Sequence, residues 1–431
     1  MISQPQAIPL EEAVRLAAQI VQPASLEWVP LPEALHRILA QDIIAPFSIP
    51  SESRSRMDGY AVRAADTQGA TLKHPRLVHC LEHVLSAGSV PAVKLEPGTA
   101  CRILTGAVLP AGADAVVPDE NTERIDGQLK IYSEVLPGQW VTSAGEWLER
   151  GTVTLRAGHR LTPSRISAAA ALGCSLLPLV VSCRVALAST GDEILELGTK
   201  HERGGSYPDT RYLLAAMLQN AGAVPMHLGC IPDNPFHISA VLEAAAGDIV
   251  ITTGGTGGGN KDLIFQVWND LGIVPVFRGV EIKPGSSTAL GTRKNQLYWA
   301  LPGSPWAAQV IFHELFLPVL ERWYGTREPL AQTFSARLKC SMEPKGRGAR
   351  AIPGNLVCCD GTLWFDPLLQ ESPSSLIPLA EKNAYALVPA QAGLLPAETF
   401  VTVRLLLGSS LDSSHRGKSP PDTEKRPMSS P

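Results

Sequence analysis

What this chain does without narrows its possible roles before any motif is read. No strong charge of either sign is present. With 37 basic against 41 acidic residues, the mild negative balance offers no general attraction to nucleic acid or anionic lipid. Any anion site must therefore be local. The eight cysteines form no CxxC pair, and the adjacent Cys358 and Cys359 are poorly placed to bridge each other, so a reducing compartment fits best. The segment Met1 to Leu10 lacks a basic cluster followed by an apolar run, which speaks against a secretory signal. The most apolar stretch, Ile166 to Val181, is broken by Ser167, Gly173, Ser175 and Pro178 and falls short of the ~20 residues of a membrane span. It reads as a buried helix followed by a strand. No GK[ST] follows a glycine run, no GxGxxG with an acidic partner occurs, and neither a nucleophile elbow nor aromatic-basic interleaving is found.

A chain of 431 residues is too long for one ordinary core and implies ~3 or 4 domains. Leu10, Ala13, Val14, Ala17, Ala18 and Val21 make one helical stripe that stops at Pro23, and a second helix is expected near Leu31 to Leu39. From about Phe47 to Val141, short apolar runs are punctuated by Pro91, Pro97-Gly98, Pro110, Gly112, Asp126-Gly127 and Pro137-Gly138, as in a small β domain. Helical sequence returns at Thr162 to Leu172, so the β segment reads as an insertion in a discontinuous helical platform. From Arg184 the texture becomes strand, helix, strand, helix. Val185 to Ala188, the stripe Arg211 to Ala221, Val224 to Leu228, a helix capped by Asn234-Pro235, Ile249 to Thr252 and Asp262 to Leu271 follow in turn. Such alternation predicts a parallel sheet with helices on both faces and a ligand crevice at the carboxyl ends of its strands. Thr333 to Leu407 returns to short β segments. Gly408 to Pro431, rich in Ser, Pro, Lys and Asp, reads as a disordered tail.

The sharpest local feature is Gly254-Gly255-Thr256-Gly257-Gly258-Gly259, between a strand and a helix. Glycines there let backbone amides approach an anion at the helix N-terminus; a tight turn without a ligand is the alternative. Asp192 and Glu193 follow a strand of the same domain and Asp262 lies just past the glycine run. These carboxylates suit magnesium beside a phosphate, or else serve only as cap and turn residues. Lys283 follows another apolar strand and would add a cation. His79 and His83 share a face of a predicted strand but leave too few ligands for a closed metal site.

Several ordered motifs carry a resemblance from about Leu10 to Leu407. They are Met57-Asp58-Gly59-Tyr60-Ala61, Arg102-Ile103-Leu104-Thr105-Gly106-Ala107, Pro110 to Val117, Ser189-Thr190-Gly191-Asp192-Glu193, the glycine run with Asp262, Lys283-Pro284-Gly285, and Leu301-Pro302-Gly303-Ser304-Pro305. In these the chain resembles the molybdopterin molybdenumtransferases, the MoeA and gephyrin E-domain family. It departs from that pattern at Ser286, at Thr142, Ser143 and Ala144 where a basic run is usual, at Trp147, at Pro208 to Arg211 and at Ser304.

The resemblance implies a multidomain α/β plus β fold. Its parts are a discontinuous helical platform (1–46 and 142–179), a β-rich insertion (47–141), a MogA-like doubly wound α/β domain (180–328) and a small C-terminal β-barrel-like domain (329–408), before the tail (409–431). It implies a cytoplasmic homodimer that inserts molybdenum from molybdate into adenylylated molybdopterin and releases AMP with the help of Mg2+. Other proteins of cofactor assembly, or recipient molybdoenzymes, are further partners; nucleic acid and membrane are not. Asp58, Thr105, Asp192, Glu193, Asp262 and Lys283 would form the catalytic set, with Glu193 and Asp262 on the metal. Gly254, Gly255, Thr256, Gly257, Pro284, Gly285, Pro302, Gly303 and Ser304 would bind the pterin's phosphate end. A catalytically degenerate relative acting as carrier, scaffold or regulator is the other function left open.

Overall fold

The structure, a computed structural model, describes residues 7–255, 261–344, 348–368, 380–389 and 392–411, and of Lys261 and Asp262 the backbone alone. Thr256 and Gly257 of the glycine run, and all of the expected tail beyond 411, lie outside the described residues. The chain forms two compact units. One comprises Gln41–Ala157 and Pro163–Leu176; the other comprises the chain up to Ala40, Gly158–Thr162 and everything from Leu177 onward.

The larger unit is centred on a six-stranded sheet. Its order is Val224–Ile231, Arg184–Thr190, Ile249–Thr253, Gln296–Leu301, Ala289–Arg293, Val274–Arg278. The first four strands are parallel. Ala289–Arg293 runs antiparallel to both Gln296–Leu301 and Val274–Arg278, so the sheet is mixed and not uniformly parallel as the alternation predicts. Period-two alternation divides the strand residues between two cores. Val185, Leu187, Ile249, Ile251, Trp299 and Leu301 pack with Leu214 and Leu218 of the helix Asp209–Asn220, whereas Ala186, Ala188, Val250, Tyr298 and Ala300 pack with Ile238, Leu242 and Trp268 from the opposite side. Both faces are thus covered. Asn234 caps the helix Pro235–Ala244 as expected, its Oδ1 accepting from Phe236 N at 2.9 Å. The strands Thr333–Leu338, Ala349–Cys359, Thr362–Pro367, Ala384–Val388 and Phe400–Leu405 close into a barrel, because Ala349–Cys359 pairs with both of its neighbours in the ring.

The helix Leu10–Gln19 forms with Leu10, Ala13 and Ala17 buried. The second expected helix, Leu31 to Leu39, does not. Only the single turn Leu31–Glu33 is helical. His36 adopts φ 66°, and the N–H groups of His36 and Leu39 are taken by the carbonyls of Leu161 and His159. With those two amides bonded to a neighbouring segment, the ladder of a helix cannot run through Leu31 to Leu39.

The smaller unit holds a six-stranded sheet ordered Ala115–Pro118, Gly59–Val62, Thr99–Ile103, Arg76–Leu85, Gln128–Ile131, Thr122–Ile125. Val62, Val78, Ala100, Val117, Leu129 and Ile131 fill the core on one face; Ala61, Leu85, Cys101, Ile103 and Val116 fill the other. Two short ribbons, Arg54–Ser55 with Val141–Thr142 and Ile43–Ile44 with Val153–Leu155, complete it with the helix Pro163–Ala171. Pro163 opens that helix, where its missing N–H costs nothing.

Candidate active site

The smaller unit presents Asp58 and Thr105 together. Asp58 precedes the strand Gly59–Val62, Thr105 lies just past Thr99–Ile103, and Gly59 pairs with Ile103 in the ladder, so the two ends meet. Asp58 Oδ1 accepts from both Thr105 N and Thr105 Oγ1 at 2.7 Å. The Thr105 N–H, its hydroxyl and the charge of Arg102 hold the Asp58 carboxyl below the usual carboxylate range. Both residues are exposed. Gly59 has no alternative here, since a Cβ would lie 2.1 Å from Val117 O. Arg102 lies over the Tyr60 ring, 5.2 Å from its centroid, and is paired with Asp119.

In the larger unit, three parallel strands end side by side, and the turns that leave them carry most of the remaining expected residues. Gly191-Asp192-Glu193 follows Arg184–Thr190, Gly254-Gly255 follows Ile249–Thr253, and Pro302-Gly303-Ser304 follows Gln296–Leu301. The turns pack closely. Gly254 N donates to Leu301 O at 3.2 Å, and Thr190 Oγ1 donates to Thr253 O at 3.3 Å. At Gly254, φ is 93° and a Cβ would meet Thr190 O at 2.3 Å; a Cβ on Gly303 would sit 3.4 Å from Gly254 Cα. Ser304 occupies the N-cap position of the helix Pro305–Ile311. Asp192 Oδ1 accepts from Asp233 N at 3.0 Å, which ties the turn after one strand to the turn after Val224–Ile231, and both Asp192 and Glu193 are exposed. Asp262 lies in the first turn of the helix Lys261–Asp270, after the glycine run.

Lys283 is placed differently. The strand Ile282–Lys283 runs parallel to the barrel strand Ala349–Cys359, with Lys283 opposite Arg350. Two cations at neighbouring register positions suit an anion. Arg350 was not foreseen from the sequence, since only the barrel pairing brings it beside Lys283. Gly285, at φ 113°, leaves room for Ile311, whose Cδ1 would be 2.6 Å from a Cβ. A second feature was also unforeseen. Arg211, 1% exposed, donates Nη1 and Nη2 to Glu196 at 2.9 and 2.7 Å, and Glu196 also accepts from Cys230 N at 2.9 Å. The Arg211 hydrogen bonds, then those of Cys230, draw the Glu196 carboxyl down to about 2. This pair ties the turn after Asp192-Glu193 to the helix Asp209–Asn220. A glutamate and an arginine 15 positions apart give no sequence cue.

Among the described residues no three His, Cys, Asp or Glu side chains gather into a metal cage. Magnesium is commonly held by only one or two carboxylates, together with water and substrate phosphates. Exposed, hard-oxygen donors such as Glu193 fit that mode.

An open α/β sheet with glycine turns at its carboxyl edge belongs to the class of folds whose ligand crevice lies at the carboxyl ends of the strands. Comparison with known proteins narrows the class. The family description "MoeA N-terminal region (domain I and II)" matches residues 8–173, and "Probable molybdopterin binding domain" matches residues 186–322. The molybdopterin molybdenumtransferase of Bacillus subtilis (strain 168) is 32% identical, over 94% of this chain and 95% of its own length. That of Nostoc sp. is 32% identical over 87% and 86%. The crystal structure of the molybdopterin biosynthesis moeA protein from Pyrococcus horikosii superposes with a TM-score of 0.85 at 30% identity, over 94% of this chain and all of that one. The chain belongs to the molybdopterin molybdenumtransferase family.

Proposed function

We propose that this chain inserts molybdenum from molybdate into adenylylated molybdopterin and releases AMP. The observation that carries the reading is the match to molybdopterin molybdenumtransferases along almost the whole chain, combined with the Asp58–Thr105 pair and the packed glycine turns at the sheet's carboxyl edge.

The reaction breaks a pyrophosphate link and handles a tetrahedral oxyanion, so it needs fixed donors and cations aimed at developing negative charge. In this reading the backbone at Gly254 and Gly255 approaches the phosphate end of the pterin; Thr256 and Gly257, expected to share that role, lie outside the described residues. Pro302, Gly303 and Ser304 border the same edge. Lys283, next to Pro284 and Gly285, and its register partner Arg350 hold phosphate or oxyanion charge. Asp58 is kept ionised and oriented by Thr105, as a hydrogen-bond acceptor facing the substrate. Asp192, Glu193 and Asp262 form the acidic side, and Glu193 and Asp262 would hold Mg2+, which supplies charge neutralisation at the pyrophosphate when bound.

The platform (1–46 and 142–179), insertion (47–141), α/β domain (180–328) and terminal barrel (329–408) act as four functional parts of a homodimer. Among the described residues no helix is long and apolar enough to cross a membrane, and we place the protein in the cytoplasm with the other proteins of cofactor assembly. The test is AMP release from adenylylated molybdopterin by the purified chain, with magnesium, as molybdate is titrated. Saturable, molybdate-dependent release is expected; no release at any molybdate concentration would overturn the proposal.

A further inference from the structure

The smaller unit carries a second group of charged side chains beside Asp58 and Thr105. In the ribbon of Arg54–Ser55 and Val141–Thr142, Arg54 lies opposite Thr142 and Ser55 opposite Val141. The Arg56 N–H continues the ladder to Trp140 O at 2.9 Å. Residues two apart on one strand share a face with the residue opposite. Arg54, Arg56 and Thr142 therefore lie on one side of the ribbon, and the side-chain contacts agree. Arg56 Nε donates to Thr142 Oγ1 at 3.0 Å and Nη2 pairs with Glu146, whose other oxygen accepts from Ser143 N at 2.9 Å. On the far edge, Gly106 N donates to Ser55 O at 2.8 Å and Arg54 Nη1 to Gly106 O at 3.3 Å. Gly106 is the residue after Thr105, so the ribbon and the Asp58–Thr105 turn are joined along one backbone seam.

The charges on this face are arranged for an incoming anion. Glu146 neutralises itself against Arg56 and fixes the plane of the guanidinium, while Thr142 fixes its Nε edge. Nη1 has no partner among the described residues, and the side chain is 49% exposed. The loop from Thr142 to Gly145 has no basic residue of its own. A planar guanidinium oriented on two edges and open on the third, with a second guanidinium on the same face, is the donor set that recognises tetrahedral oxyanions and phosphoryl groups.

We infer that Arg56, oriented by Thr142 and Glu146 and reinforced by Arg54, binds a tetrahedral oxyanion on the insertion side: either molybdate or a phosphoryl group of the pyrophosphate link. The choice of these anions rests on the transferase reading, whereas the binding itself does not require turnover.

The test uses the full chain as wild type, Arg56→Met, Arg56→Lys and Glu146→Gln. Each is titrated calorimetrically with molybdate and, separately, with inorganic pyrophosphate, so that the two arms identify the anion. Arg56→Met should weaken binding of one of them by about tenfold or more, the loss expected for a charge-assisted hydrogen bond. Arg56→Lys should restore part of it, because charge returns without the fork. Glu146→Gln loosens the guanidinium but also removes the charge that neutralises it, so it should change binding less than Arg56→Met. Melting temperatures should stay together, since a half-exposed ion pair contributes little. In steady-state turnover, Arg56→Met should raise the half-saturating concentration of molybdate if molybdate binding is the one weakened, or of adenylylated molybdopterin if pyrophosphate binding is. Equal affinities of wild type and Arg56→Met for both anions, or no binding of either by wild type, would overturn the inference. Arg56-dependent binding without AMP release would uphold it and count against the transferase reading instead.

Discussion

Glu196→Ala removes the partner of a cation that water does not reach. Arg211 is 1% exposed and places two N–H groups on the Glu196 carboxylate. Breaking a fully buried ion pair from one side costs ~3–5 kcal/mol, because the remaining charge is stranded. Glu196 is not fully buried; its side chain is 43% exposed, so the penalty must be reduced. Linkage gives a second route to the magnitude. A carboxyl drawn from 4.5 to about 2 would contribute ~3 kcal/mol if shielded from solvent, and exposure of this degree reduces that to roughly half. Both routes converge on ~2 kcal/mol for Glu196→Ala. Arg211→Met is different, for it replaces the buried charge with an apolar chain and leaves Glu196 hydrated and bonded to Cys230 N, at a cost of ~0–1 kcal/mol. The double variant should resemble Arg211→Met.

The assay is unfolding followed by tryptophan fluorescence, which reports this region because Trp268, Trp299 and Trp306 are buried in it. The pH dependence has a defined sign. Glu196 has a depressed folded-state value, so its contribution is complete above the ordinary carboxylate range near 4.5 and is lost as pH falls towards about 2. The stability gap between wild type and Glu196→Ala should be full at pH 6 and roughly halved by pH 3. An Arg211→Met variant as unstable as Glu196→Ala, or a gap that does not change with acidification, would refute the reasoning.

Gly254→Ala places a Cβ 2.3 Å from Thr190 O at φ 93°; the backbone conformation alone costs ~1–3 kcal/mol, so a melting temperature equal to wild type would show that the turn is not packed as described. Thr105→Val deletes the hydroxyl that donates to Asp58, and the Asp58 carboxyl should titrate higher than in wild type when followed by carbon NMR. No change would mean that the backbone N–H alone sets it. Sedimentation at micromolar concentration should give a dimer; a clean monomer would contradict the homodimer that the family resemblance implies.

The α/β domain was legible because its local signals agree. Continuous apolar runs in Arg184–Thr190 and Ile249–Thr253 mark strands buried on both faces, and Asn234-Pro235 marks a helix start that the structure places at Pro235. Legibility ended where distant pairing decides the outcome. Leu31 to Leu39 has a helical stripe, yet its amides are taken by Leu161 and His159, more than 100 positions along the chain. Ala289–Arg293 runs antiparallel to both of its neighbours in the sheet, a direction that its short apolar run does not encode. Of the candidate site, Asp58 and Thr105 were named from motifs 47 positions apart, and the structure brings them into contact. The pairings of Lys283 with Arg350, Glu196 with Arg211 and Arg56 with Thr142 have no signal in the sequence. Each depends on a partner supplied by another element, and a charged residue read alone is usually a solvated one.

If one active site couples AMP release to molybdenum insertion, molybdenum bound to the pterin product, counted against AMP released in a single turnover of the purified chain, should rise with it one for one, and both should depend on molybdate. AMP released in full while the pterin gains no molybdenum would contradict that coupling.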